Sequence, residues 1–179
     1  MITTTVSIIV AFISLVGIAL IGIRTNLLKE SNGNDNPYSF SRFQLWIWSL
    51  VIIPAFSLHW GFNDNVWIND SSLVLLGISA GIGVSAGFIR GVQLNSSNRP
   101  KKLKNEQKHR NFFSDILMDD NGQLSVVRLQ QLFFTFTYLV IYIALFFKSG
   151  MRYPDFDPNA YVLMGISGGT YLLGKGVYK

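Results

Sequence analysis

Two short polar patterns hold the residue types in this chain best suited to chemistry. They are Ser39-x-x-Arg42-x-Gln44 and, 86 residues further on, Ser125-x-x-Arg128-x-Gln130. The planar fork of an arginine binds phosphate through two hydrogen bonds, and a glutamine amide both donates and accepts. The pattern therefore suits a polar network against a facing helix or capture of a lipid phosphate. Snorkelling of each arginine to headgroups is the plainer reading. Sets of residues for catalysis are missing. The chain has no cysteine, and its two histidines, His59 and His109, have no companions in sequence that complete a metal set. Asp119-x-Asn121-x-Gln123 follows a calcium loop only in outline, with the glycine misplaced and the bidentate glutamate absent. Tyr153-Pro-Asp-Phe-Asp-Pro158 brings two carboxylates close without an acid–base partner. The expectation is a protein that is not an enzyme and needs no cofactor.

A second pattern also occurs twice. Leu75-Leu76-Gly77-Ile78-Ser79-Ala80-Gly81 is echoed 88 residues later by Leu163-Met164-Gly165-Ile166-Ser167-Gly168-Gly169. Four matched anchors, in order and at similar spacing, predict an internal duplication. Gly77, Ser79, Gly81, Gly83 and Gly87, with Gly165, Ser167 and Gly169, make small-residue ridges of the kind that bring membrane helices together. The alternative is that Ser79, Ser167 and Thr170, with glycine carbonyls, line a conducting path.

The elements that must position these residues follow from hydropathy. Of 179 residues, 49% are hydrophobic and only 14% charged, and the charges cluster. Five apolar runs remain, at about 6–23, 43–58, 73–89, 132–147 and 160–178. Each approaches the roughly 20 residues that cross a bilayer core. None contains an acidic residue, which argues against cation-coupled or proton-coupled transport. The first run lacks the basic start of a signal peptide and reads as a retained helix. The fold class expected is an all-α integral membrane protein with five transmembrane helices: one leading helix plus two tandem parallel-repeat hairpins. The divisions are residues 1–30 (leading helix and linker), 38–94 (first repeat), 95–124 (basic loop with a short amphipathic helix over Phe112–Leu117) and 125–179 (second repeat). Ser39 or Ser41 is placed to cap the second span, and Pro54 predicts a kink within it. Trp46, Trp48 and Trp60 fall where an aromatic belt would put them.

Charge distribution sets the expected orientation. Alternating the loops between two sides collects thirteen of the fifteen Lys and Arg residues on one side and leaves Lys148 and Arg152 on the other. By the positive-inside rule the C-terminus is then cytoplasmic and the N-terminus outside. The loop residues Arg99, Lys101, Lys102, Lys104, Lys108 and Arg110 suit anionic headgroups, at about 1 kcal/mol per nearby basic residue. They also suit an acidic protein partner in the cytoplasm. No base-stacking pattern accompanies them, so nucleic acid is not expected.

Asp119-Asp-Asn-Gly-Gln-Leu-Ser125-x-x-Arg128-x-Gln130, continued by Tyr153-Pro-Asp-Phe156 and Leu163-Met-Gly-Ile-Ser-Gly-Gly-Thr-Tyr-Leu172, resembles a two-helix module of small bacterial multi-span membrane proteins, an uncharacterised family. The likeness covers about residues 112–175. The first repeat departs from it, with Ile82-Gly83 where the second has Thr170-Tyr171. The resemblance implies the inner membrane of a bacterium and brings no activity. The function expected is a membrane subunit that forms a homo-oligomer and anchors or scaffolds an assembly. An oligomeric pore, ion channel or membrane-disrupting effector is the alternative.

Overall fold

The computed structural model describes residues 2–29, 37–76, 111–118 and 123–164. Its elements are α1 (Ile2–Arg24), a 3₁₀ turn (Asn26–Leu28), α2 (Phe40–Asn63), α3 (residues 70–76), α4 (Phe112–Leu117), α5 (Val126–Lys148) and α6 (Pro158–Leu163). Among the described residues there is no strand, only two isolated bridges, Lys29 to Tyr38 and Met118 to Leu124. Three helices, α1, α2 and α5, are long and apolar enough to cross a membrane. At 1.5 Å per residue each spans roughly 35 Å, against a hydrocarbon core of about 30 Å. Apolar side chains cover their outward faces: Phe12, Ile13 and Ile23 on α1 and Phe133 and Val140 on α5 are all more than 60% exposed. Such surface is stable against lipid and would be unfavourable against water. The third and fifth apolar runs begin as α3 and α6, and the rest of each lies outside the described residues.

Helix α1 packs antiparallel on α2 through close backbone approaches. Ser7 sits against Gly61, where a Cβ would collide with its hydroxyl, and the Trp46 ring fills the space above Gly22. Trp46 Nε1 donates to Ile18 O at 3.0 Å, and Thr4 Oγ1 donates to Gly61 O at 3.1 Å. The second pair of helices runs parallel. Gln44, near the start of α2, meets Thr135 of α5, while His59, near its end, meets Met151 just beyond α5. Arg24, Lys29, Arg42 and Arg128 consequently share one end of the bundle, and Lys148 and Arg152 lie at the other.

The core forms where α2, α3, α5 and α6 converge, around Trp48, Ile52, Leu75, Tyr142, Phe146 and Met164. Two expectations change here. Trp48 is fully buried, edge-on to Tyr142 with ring centroids 6.0 Å apart, so it is a core residue and does not belong to an interfacial belt. Ser39 occupies the N-cap position of α2, but its hydroxyl pairs with Ser41 Oγ at 3.1 Å and caps no amide. Helix α2 runs through the buried Pro54 as one helix. A short helix does occupy Phe112–Leu117. It tucks its Asp115 and Ile116 inward and seats Phe112 edge-on against Tyr38 and Phe43.

Candidate functional site

Each S-x-x-R pattern starts its helix in the same way. The Ser39 amide donates to Leu28 O at 2.8 Å, and the Ser125 amide donates to Leu117 O at 2.9 Å. Arg42 Nη1 donates to Lys29 O at 2.6 Å, and Arg128 Nη1 donates to Met118 O. The two acceptors are the bridge residues that face Tyr38 and Leu124. A helical turn, a bridge and a returning chain are thus tied to the first turn of the following helix by one guanidinium. At Ser125 the hydroxyl also accepts from the Arg128 amide, the ordinary N-cap. A sequence signal for this tie existed upstream of the serines: Leu28-Lys-Glu-Ser-Asn-Gly33 aligns with Leu117-Met-Asp-Asp-Asn-Gly122.

Arg42 and Gln44 belong to separate arrangements. Gln44, only 4% exposed, points into the bundle and donates to Thr135 Oγ1 at 3.1 Å and to Met164 O at 2.7 Å. Gln130 is exposed. The predicted glycine ridges, Gly77 to Gly87 and Gly165 to Gly169, and the basic residues Arg99 to Arg110 all lie outside the described residues.

Above Gln44 the buried polar groups continue between the helices as a seam. Ser72 Oγ and Tyr142 OH share a hydrogen bond of 2.9 Å, and Asn69 Oδ1 accepts from the Ser72 amide at 3.1 Å. Asn69 Nδ2 donates to Pro154 O at 2.9 Å and to Asp155 Oδ1 at 2.7 Å. Helix α5 stops at a left-handed pair, Gly150 (φ 70°) and Met151 (φ 62°), which turns the Met151 carbonyl toward α2. His59 Nδ1 lies 2.8 Å from that oxygen, and Asn63 Nδ2 donates to it at 3.1 Å. A carbonyl only accepts, so Nδ1 carries a hydrogen and donates it. His59 Nε2 and Tyr153 OH are buried and find no partner among the described residues, although their rings are in contact at 4.5 Å. Burial pushes the Tyr153 phenol well above its ordinary pKa, with the nearby Tyr142 adding to the effect.

This seam joins helices. Its serine and threonine hydroxyls pair with tyrosine, amide or backbone groups, and none of those pairs is with a histidine. Among the described residues no three His, Asp or Glu side chains gather as metal ligands. Its central members, Gln44, Trp48, Ser72, Thr135 and Tyr142, are all less than 5% exposed, so the seam is packed solid. Sequence reasoning missed Asn69, Ser72 and His59 because their partners are 70 or more residues away. No family model matches the chain, and no curated protein or solved structure matches it either.

Proposed function

We propose that this protein is a non-enzymatic membrane subunit that associates with copies of itself and anchors or scaffolds other components. In this reading it crosses the bacterial inner membrane five times, with α1 leading two tandem two-helix units. The observation that carries it is the solid polar seam. Hydrogen-bonded groups that are shut off from solvent hold helices in register, which a framework needs and a lumen does not. The two corresponding Arg ties, to Lys29 O and to Met118 O, and the parallel course of α2 and α5 support a tandem pair of units with one orientation. The basic side chains gathered at one end support an N-terminus outside and a cytoplasmic C-terminus. The basic residues between Arg99 and Arg110 are the proposed docking surface for anionic headgroups or an acidic partner.

The test is flux through liposomes that contain the purified protein, together with its oligomeric mass in detergent. Tight vesicles around a discrete oligomer are expected. Ion or dye flux that rises with protein density would replace this reading with a pore. Orientation is tested separately, since Val66→Cys should label from outside the cell and Lys104→Cys only from the cytoplasm.

A further inference from the structure

At the end of α5 that carries Lys148 the chain folds around a cleft of about 360 Å³, within the range of roughly 300–1,000 Å³ that small ligands occupy. Leu145, Tyr153 and Pro154 supply the apolar part of its lining, and Lys148, Ser149 and Asp155 the polar part. A cation and a carboxylate thus share one cleft, yet among the described residues no ion pair joins them.

The carboxylate is held in place from behind. Asn69 Nδ2 donates to Asp155 Oδ1 at 2.7 Å and to Pro154 O at 2.9 Å, and the Phe156 amide donates to Ser71 Oγ at 3.0 Å. Asn69 and Ser71 are both buried, so the segment that carries Asp155 is clamped to the start of α3. An ionised carboxylate accepts about four hydrogen bonds, and Oδ2 of Asp155 is left for a ligand. The Ser149 hydroxyl directs its hydrogen to Arg152 O at 2.8 Å and Phe146 O at 3.1 Å, so its oxygen can only accept. Lys148, in the last turn of α5, brings a positive charge and three donors. Beneath it on the same face of the helix, Leu145 and Ile141 are 40% and 37% exposed. They form an apolar strip that leads from the cleft toward the middle of the bilayer.

We propose that this cleft binds the headgroup of a phospholipid that carries a primary ammonium, phosphatidylethanolamine being the simplest case. Lys148 takes the phosphate, Asp155 and Ser149 take the ammonium, and an acyl chain follows Leu145 and Ile141. The paired charges fit a zwitterion. An anionic lipid without an amine leaves the Asp155 charge unanswered, and a quaternary ammonium has no hydrogen to give the two acceptors. The occupant is a lipid because the cleft opens onto the exposed apolar strip of a helix long enough to cross the membrane. This inference goes beyond the scaffold reading and holds equally for a pore, since it needs only that α5 lies in the bilayer.

The probes are phosphatidylethanolamine, phosphatidylcholine and phosphatidylglycerol with the same acyl chains, added to the full-length protein in detergent. Native mass spectrometry counts the lipids each chain retains. One phosphatidylethanolamine per chain is expected, held about tenfold more tightly than phosphatidylcholine, which cannot make the charge-assisted hydrogen bonds. Asp155→Asn keeps an oxygen for Asn69 and removes the charge, so it should abolish that preference while the thermal midpoint stays put. Lys148→Gln should weaken all three lipids alike, because they share the phosphate. Equal retention of the ethanolamine and choline lipids by the native chain would overturn the site. So would a preference for phosphatidylglycerol, or an ethanolamine preference that Asp155→Asn leaves intact. Displacement of the bound lipid by free phosphoethanolamine would overturn the lipid as occupant and give the cleft to a soluble zwitterion.

Discussion

Gln44 and Thr135 meet 91 residues apart in sequence, amide nitrogen 3.1 Å from hydroxyl oxygen, with the Met164 carbonyl taking the second amide hydrogen at 2.7 Å. One side chain thereby links α2, α5 and the end of α6. In a membrane the ordinary hydrophobic drive between helices is absent, because lipid tails are as apolar as leucine, so buried hydrogen bonds and close packing decide the register.

Replacing Gln44 by Leu keeps the bulk and removes both donors. The Met164 carbonyl is then buried without its partner, which costs about 1–3 kcal/mol. The expected outcome is a thermal midpoint in detergent lowered by several degrees, with helix content unchanged. Gln130→Leu, at an exposed position, should leave the midpoint of the isolated protomer where it was. Equal effects at the two positions would mean that Gln44 does not hold the bundle.

Arg42 acts on the chain before its own helix. Its guanidinium reaches Lys29 O at 2.6 Å and Leu27 O at 3.4 Å, closing the segment that the Ser39–Leu28 bond also closes. Bonds from a charged donor contribute about 1.5–3 kcal/mol when buried. Arg42 is partly exposed, so the lower end applies. Arg42→Ala should accelerate hydrogen exchange at the Ser39 amide about tenfold and leave the amides around Ile52 protected. Arg42→Lys should recover only part of the protection, because an ammonium lacks the fork. No change at Ser39 would return Arg42 to the role of a headgroup anchor.

How far these arrangements were legible in the sequence depended on the range of the contacts involved. The long apolar runs declared α1, α2 and α5, because crossing a bilayer is a local property of about 20 residues. The spacing of Phe112, Phe113, Ile116 and Leu117 declared α4 for a similar reason. The sequence pattern suggests that Arg42 and Gln44 join in one polar network, although positions i and i+2 lie about 200° apart on a helix and do not face one neighbour. By the same rule Gln44, Trp48, Ile52 and His59 form one stripe, which marks Trp48 as a core residue. What no local pattern carried was the partner of that stripe. Thr135, Tyr142 and Met151 come from the far half of the chain, and a lone threonine in an apolar run looks the same whether it faces lipid or an amide.

The α1–α2 interface rests on two single glycines outside any small-residue ridge. A Cβ at Gly61 would collide with the Ser7 hydroxyl and lie 3.3 Å from Thr3 O, whereas Gly17 has open space beside it. Gly61→Ala should therefore lower stability by about 1–3 kcal/mol through overpacking. Gly17→Ala should raise it slightly, since alanine is favoured over glycine in a helix by up to about 1 kcal/mol. Adding Ser7→Gly to Gly61→Ala removes the colliding hydroxyl and should restore much of the loss. Equal thermal midpoints for the two single alanine variants would show that α1 does not pack on α2 at Gly61.

Tyr153 offers a test in alkali. Its hydroxyl is buried without a partner among the described residues, and desolvation, the main cause, raises its pKa in the folded protein. An unfolded chain ionises the same phenol near pH 10. The sign follows from linkage: the folded state holds the proton more tightly, so the contribution is full below about pH 10 and is lost as the pH climbs beyond it. The native protein should lose thermal stability progressively from about pH 10 upward, and Tyr153→Phe should flatten that decline. At neutral pH the same variant should be as stable as the native chain or more so, because it removes a hydroxyl that pays for desolvation and gains no bond. A Tyr153→Phe protein that is weaker at pH 7 and follows the native curve in alkali would mean that the hydroxyl has a partner the buried geometry conceals.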